Sequence, residues 1–195
     1  MQTMIRKMTA IAIIGFIALA FQHVNAQTYQ SSAAKVTIKG TSTLHDWDMT
    51  SPQGIVKATF VVSNNQVTAV NALSFQVLAE SLKSSKSGLD KNAYKALNTG
   101  THKQITFTMT SGQVTPASGG NFKVSVTGNL TIAGTTKSTT IHATGVYNPG
   151  DQSISVNGTT KFNMTAYKVT PPTVMMGTIK TGDPITIDYS VKLIP

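Results

Sequence analysis

His45-Asp46-Trp47-Asp48 is the one place in this 195-residue chain where an imidazole stands among carboxylates. Such a cluster can bind a metal or pass a proton as an acid–base pair. The spacing argues against both, because His45 and Asp46 point to opposite faces of an extended chain and no second histidine follows at ligand spacing. His102 and His142 stand alone, with His142 in the outward phase of its segment. The competing reading is structural, with Trp47 as an apolar plug and Asp46 or Asp48 tying a turn. Serine and threonine abound, yet no Gly-x-Ser-x-Gly elbow presents a nucleophile and no glycine-rich phosphate loop precedes a helix. The chain has no cysteine, which removes disulfides, thiolate metal sites and lipidation. The expectation is a non-enzyme with no catalytic residue, no metal and no cofactor. A hydrolase-type use of His45 with Asp46 or Asp48 is the rival, and it requires the imidazole to face a cavity.

The elements available to position these groups are mostly strands. From Phe122 onward, polar and apolar residues alternate with little interruption, through Phe122, Val124, Val126, Leu130 and Ile132, then Ile141, Ala143, Gly145 and Tyr147. Ile154, Val156, Gly158 and Phe162 follow, then Ile185, Ile187, Tyr189, Val191 and Leu193. A repeat of two puts one set on each face of a strand, so these read as antiparallel strands, dry inside and wet outside. Earlier strands begin at Val36 and Ile38, run through Val56 to Val62 and Val67 to Val77, and return at Ile105, Phe107 and Met109. Turns are marked by Asn64-Asn65, Gly119-Gly120, Ala133-Gly134 and Pro149-Gly150-Asp151. The expected fold is all-β, an antiparallel barrel of about eight strands with one short amphipathic helix, a size with room for side chains or for one slender ligand.

The helix is expected from Ser87-Gly88-Leu89-Asp90, which has the pattern of a capping box. Leu89, Ala93 and Leu97 then share one face, and Gly100 is placed to close the C-terminus in the left-handed conformation. Lys83, Lys86, Lys91, Lys95 and Lys103 gather around this segment, where they can attract an anionic headgroup or a membrane surface. The rest of the basic excess is lysine spread along strand faces, which serves solubility and edge protection. No arginine follows Arg6, so nucleic-acid binding finds no support.

Residues 1–26 read as an export signal, with Arg6 and Lys7, an apolar run from Thr9 to Phe21, and small residues at Val24-Asn25-Ala26 for a peptidase. The run is short for a bilayer span, so cleavage after Ala26 is expected. That leaves one domain over residues 27–195, long enough for a sizeable core, and lowers the formal charge from +9 to +7.

Whether such a barrel is filled depends on its inward residues. Gly128, Ala143, Gly145, Gly158 and Thr160 are in phase with the apolar face, where a solid core would take Leu, Ile or Phe. Relief of strain in coiled strands accounts for some of the glycines, and the run of small residues points to a lumen.

Several motifs in sequence order carry a resemblance. They are Gly40-Thr41-Ser42-Thr43-Leu44-His45-Asp46-Trp47, Ser81-Leu82-Lys83-Ser84 leading to Leu89-Asp90, Ile105-Thr106-Phe107, and Gly128-Asn129-Leu130-Thr131-Ile132-Ala133-Gly134-Thr135-Thr136-Lys137. The end of the chain adds Phe162-Asn163-Met164-Thr165-Ala166-Tyr167, Pro171-Pro172 and Gly177-Thr178-Ile179-Lys180-Thr181-Gly182-Asp183. With these the chain resembles the YceI-like family over nearly all of residues 27–195. The resemblance implies a lipocalin-like barrel that holds a polyisoprenoid or similar long amphiphile in the periplasm.

The lining expected for that lumen is Phe75, Phe107, Met109, Ala143, Gly145, Gly158, Phe162, Met164, Tyr167, Met175 and Met176. Met175 and Met176 would supply flexible apolar groups at the mouth. Lys83, Lys86, Lys91 and Lys95 would meet the headgroup or make transient contact with a membrane surface. A filled structural or partner-binding module is the other rival, and it predicts an exposed apolar patch.

Overall fold

The period-two alternation becomes nine strands in the computed structural model, whose described residues are 25–195. They are β1 (Asn25–Ser42), β2 (Trp47–Ser63), β3 (Gln66–Leu78), β4 (Gln104–Pro116), β5 (Asn121–Ile132), β6 (Thr135–Asn148), β7 (Ser153–Asn163), β8 (Thr173–Val174) and β9 (Ile179–Leu193), with α1 (Ser87–Leu97) between β3 and β4. Each strand pairs antiparallel with the next from β1 to β7, and β7 pairs with β9. β9 then returns to β1, from Lys35↔Ser190 to Ser42↔Thr181, and closes an eight-stranded barrel, while the two-residue β8 pairs with β9. Closure gives every strand of the wall a partner on both sides, although two seams are zipped over only part of their length: β3–β4 from Ser74↔Thr108 to Leu78↔Gln104, and β6–β7 from Ala143↔Gly158 to Asn148↔Ser153. This is the all-β barrel with one short helix that the alternation predicts. The export-signal expectation lies outside the described residues except for Asn25 and Ala26, which are the first two residues of β1.

β1 begins well before Val36, where the alternation first signals a strand. Its first half, Gln27 to Ala33, is mostly polar, and of its side chains Tyr29 alone is buried. The backbone is held there by pairing with β2, from Gln27↔Phe60 to Ser31↔Val56, before register shifts around Ala34. Strand formation in this stretch comes from a partner supplying hydrogen bonds and not from local pattern.

The two barrel ends differ. At one end large side chains fill the interior, with Tyr29 edge-on to Phe60 at 5.9 Å and Phe60 edge-on to Phe122 at 6.2 Å between ring centroids. Ile154 and Leu193 are fully buried beside them. The other end carries the 43–46 loop, α1 and the β8–β9 hairpin, and it stays open inside.

α1 presents the expected face inward but is capped differently. Its N-cap is Lys86, with no side-chain cap, and its C-cap is Asn98 in the left-handed region at φ 51°. The Ser87–Asp90 capping box does not form, because the Asp90 carboxylate instead accepts the Ser84 N–H at 2.8 Å and the Ser84 hydroxyl at 2.7 Å. Asp90 thereby ties the loop before the helix to its first turn. These bonds hold the Asp90 carboxyl below its ordinary value of 3.8, and Lys39 with Thr159 lowers Asp188 in the same way.

A carboxyl depressed in the folded state stabilises the fold above its unfolded-state pKa, and that contribution is lost as pH falls through the lower folded-state value. The melting temperature is therefore expected to hold from neutral pH to about pH 5 and to fall below about pH 4. Asp90→Asn should melt lower than wild type at neutral pH and show a shallower acid decline. Thermal melts across the pH range check both.

Candidate functional site

Between the filled end and α1 lies a cavity of about 420 Å³, within the range of small-molecule sites. Its barrel wall includes Val36, Ile38, Val56, Leu73, Phe75, Phe107, Val126, Ile141, Ala143 and Ile187, so the surface is almost wholly apolar. Leu89, Ala93, Ala96 and Leu97 of α1 cover it from above. Leu44 and His45 of the 43–46 loop and Val174 and Ile179 of the β8–β9 hairpin complete the rim. The barrel is therefore not filled, as a purely structural module would require.

Of the residues expected to line the lumen, Phe75, Phe107, Ala143, Phe162, Met164 and Tyr167 do so, and Thr160 joins them. Tyr167 also donates or accepts a 2.8 Å hydrogen bond with Thr139 Oγ1, bridging from the segment after β7 to β6. Met109, Gly145, Gly158, Met175 and Met176 lie elsewhere.

The glycines are covered by aromatic rings. The Phe122 ring lies where a Cβ on Gly145 would stand, and the Tyr189 ring does the same at Gly158. These are cross-strand neighbours, Phe122↔Gly145 and Gly158↔Tyr189, so the missing side-chain volume is taken by a partner strand. Gly128 is covered by Phe107 and by the backbone of Thr108 and Met109. The Met109 sulfur sits over Gly112, beside the register shift between Met109 and Ser111. Met175 and Met176 face solvent at the tip of the β8–β9 hairpin.

Tyr189 has a further role in the wall. The β6–β7 ladder starts at Asn148↔Ser153 and ends at Ala143↔Gly158. At that end the Tyr189 hydroxyl crosses Gly158 and donates to the His142 carbonyl at 2.7 Å. Burial pushes the Tyr189 hydroxyl up to about 12, so it remains a donor throughout the physiological range.

Polar groups collect at the rim. His45 Nδ1 donates to the Asp46 carbonyl at 2.7 Å, and Lys86 Nζ donates to His45 Nε2 at 3.3 Å. A neutral imidazole protonated on Nδ1 satisfies both contacts. His45 thus reaches the cavity as the rival enzyme reading requires, but its ring nitrogen contacts the Asp46 backbone and not a carboxylate. Trp47 Nε1 donates to Thr41 O at 3.0 Å while its ring covers Gly40 and lines the cavity. Among the described residues no three His, Asp or Glu side chains gather as a metal set.

Of the four lysines expected to meet a headgroup, Lys86 borders the cavity. Lys83 lies over the Tyr94 ring at 4.9 Å from its centroid, and Lys91 and Lys95 are exposed on α1.

The family model for the YceI-like domain matches residues 27–193. The chain belongs to the YceI-like family. Solved structures similar to this YceI-like chain include BcnA of Burkholderia cenocepacia, 16% identical with a TM-score of 0.64, covering 83% of this chain and 96% of that one. A polyisoprenoid binding domain from Saccharophagus degradans, implicated in plant cell wall breakdown, is 10% identical with a TM-score of 0.61, over 87% of this chain and 99% of that one. The Campylobacter jejuni YCEI protein is 18% identical with a TM-score of 0.52, covering 70% and 79%. These likenesses are of fold. No match is found among curated proteins.

Sequence reasoning did not find the part of the rim formed by Leu44, Val174 and Ile179. Leu44 adjoins His45 in a loop without alternation, and Val174 and Ile179 flank the turn that carries Met175 and Met176, so neither side of the rim has a strand pattern long enough to mark it.

Proposed function

We propose that this YceI-like chain is a carrier that takes up one elongated apolar ligand, a polyisoprenoid or similar long amphiphile, and works in the periplasm after export. The observation that carries the reading is the lidded cavity of about 420 Å³ with an almost wholly apolar wall and its few polar groups at the rim. That distribution suits a ligand with a long tail and a small polar end. Each five-carbon prenyl unit that leaves water contributes roughly 3–4 kcal/mol before ordering costs are subtracted. Lys86 and His45 stand where the polar end would emerge. Export by residues 1–26 delivers the protein to that compartment, and the reading assigns no chemistry to the chain.

The test is mass spectrometry of protein exported by its native leader and purified without detergent. The expected result is a long-chain isoprenoid extracted at close to one per protein, and an intact mass that begins at Gln27. Protein that carries no amphiphile and takes up no fluorescent prenyl probe would overturn the carrier reading.

A further inference from the structure

Leu44, Met175 and Met176 are the three most exposed large apolar side chains among the described residues, at 64%, 72% and 109%. They lie on two segments that are bonded together. Thr43 N donates to Lys180 O at 3.0 Å, and Lys180 N donates to Thr43 Oγ1 at 3.1 Å. Leu44, Val174 and Ile179 also line the cavity, so the exposed patch is continuous with the lumen.

The turn makes the display unusual. Met175 and Met176 are the first two residues of the four-residue β8–β9 connection, at φ 52° and 56°, and Gly177 N bonds Val174 O around them at 3.2 Å. Left-handed backbone at both positions favours Asn-Gly and disfavours long side chains. Where the same molecule sets two consecutive left-handed residues in its two-residue hairpins, it uses Asn64-Asn65 and Ala133-Gly134. Two methionines here strain the backbone and stay largely in solvent, which folding alone does not explain.

Charge completes the patch. Lys180 adjoins Thr43, and Lys86 reaches His45, so lysines flank Leu44 on both sides. The carboxylate nearest in sequence is the exposed Asp46, while Asp183 is engaged by Thr165.

The geometry points to the cavity mouth as a docking surface for an anionic lipid bilayer. Met175, Met176 and Leu44 enter the interfacial layer, and Lys86 and Lys180 face the headgroup phosphates. The inference rests on the carrier reading for its purpose, since docking aims the opening at the source of the ligand and lets an apolar tail cross with little exposure to water.

The test compares wild type with the double variant Met175→Asn, Met176→Gly in sedimentation with vesicles of phosphatidylglycerol and phosphatidylethanolamine, and with vesicles of phosphatidylcholine alone. Asn-Gly suits the turn, so the variant should melt at or above the wild-type temperature and take up a prenyl probe from solution unchanged. Its binding to the anionic vesicles should be about tenfold weaker, and its extraction of probe from them correspondingly slower. Equal vesicle binding by the two proteins overturns the proposal, as does wild-type binding that is the same on both lipids and insensitive to salt. Self-association of wild type that the variant loses, with no change on vesicles, assigns the patch to a second copy instead. Failure of both proteins to take up probe from solution counts against the carrier reading, and the vesicle comparison still decides the docking surface.

Discussion

Ala143→Leu is expected to weaken binding of a long prenyl chain roughly thirtyfold while leaving the fold close to wild-type stability. Ala143 is half-buried on β6 and lines the cavity wall, so the added branch extends into space that the protein itself leaves open. The three extra carbons occupy volume the ligand would use and remove about 2 kcal/mol of apolar contact from it, at about 0.8 kcal/mol for each methylene. The branch gains contacts of its own with the apolar wall, which offsets the entropy of ordering it. In a solid core the same change would cost roughly 1–3 kcal/mol through overpacking. Displacement of a fluorescent prenyl probe reads the affinity and thermal melts read the stability. A strongly destabilised variant whose folded fraction still binds the probe normally would sink the carrier mechanism.

The cavity was partly legible in the sequence, and the reason lies in what period-two alternation encodes. Alternation fixes the phase of each residue, inward or outward, from its immediate neighbours. It identified Phe75, Phe107, Ala143, Phe162 and Thr160 as inward, and these line the cavity. It also identified Gly145 and Gly158 as inward, yet an inward glycine leaves a void only if no partner strand covers it. That depends on register, and register pairs Phe122 with Gly145 and Tyr189 with Gly158 across long stretches of chain. Trp47 over Gly40 follows the same rule.

The helix shows a similar limit. Its apolar face followed from Leu89, Ala93 and Leu97, but a capping box is a local motif, and the Asp90 carboxylate found its donor in Ser84, outside that motif. The chemistry of Met175 and Met176 suits a lumen lining, but their side chains face solvent. The four-residue connection that holds them outward, Met175 to Thr178, depends on β8 pairing with β9, which two residues of strand do not announce.

Gly158→Val is expected to destabilise the barrel by about 3–4 kcal/mol, the largest stability effect of any change considered for the wall. Gly158 is on β7 opposite Ala143, and as a small inward residue it invites the same interpretation as its neighbour. The space above it is occupied, however. A Cβ there would stand 2.7 Å from the His142 carbonyl oxygen and still closer to the Tyr189 hydroxyl, inside any distance that real contacts allow.

The Tyr189 ring must then withdraw. Its hydroxyl loses its acceptor, and the His142 carbonyl loses the donor that serves it where the β6–β7 ladder stops. Tyr189→Phe separates the two contributions, since it removes only the hydrogen bond and should cost about 1 kcal/mol. Gly158→Ala, which also places a Cβ against the ring but adds no branch, should fall between the two. Thermal and denaturant melts of the three variants read this order. A Gly158→Val protein as stable as wild type would mean that the Tyr189 ring does not fill the position. In that case the space above Gly158 would belong to the lumen, and the same variant would have to lose ligand as Ala143→Leu does.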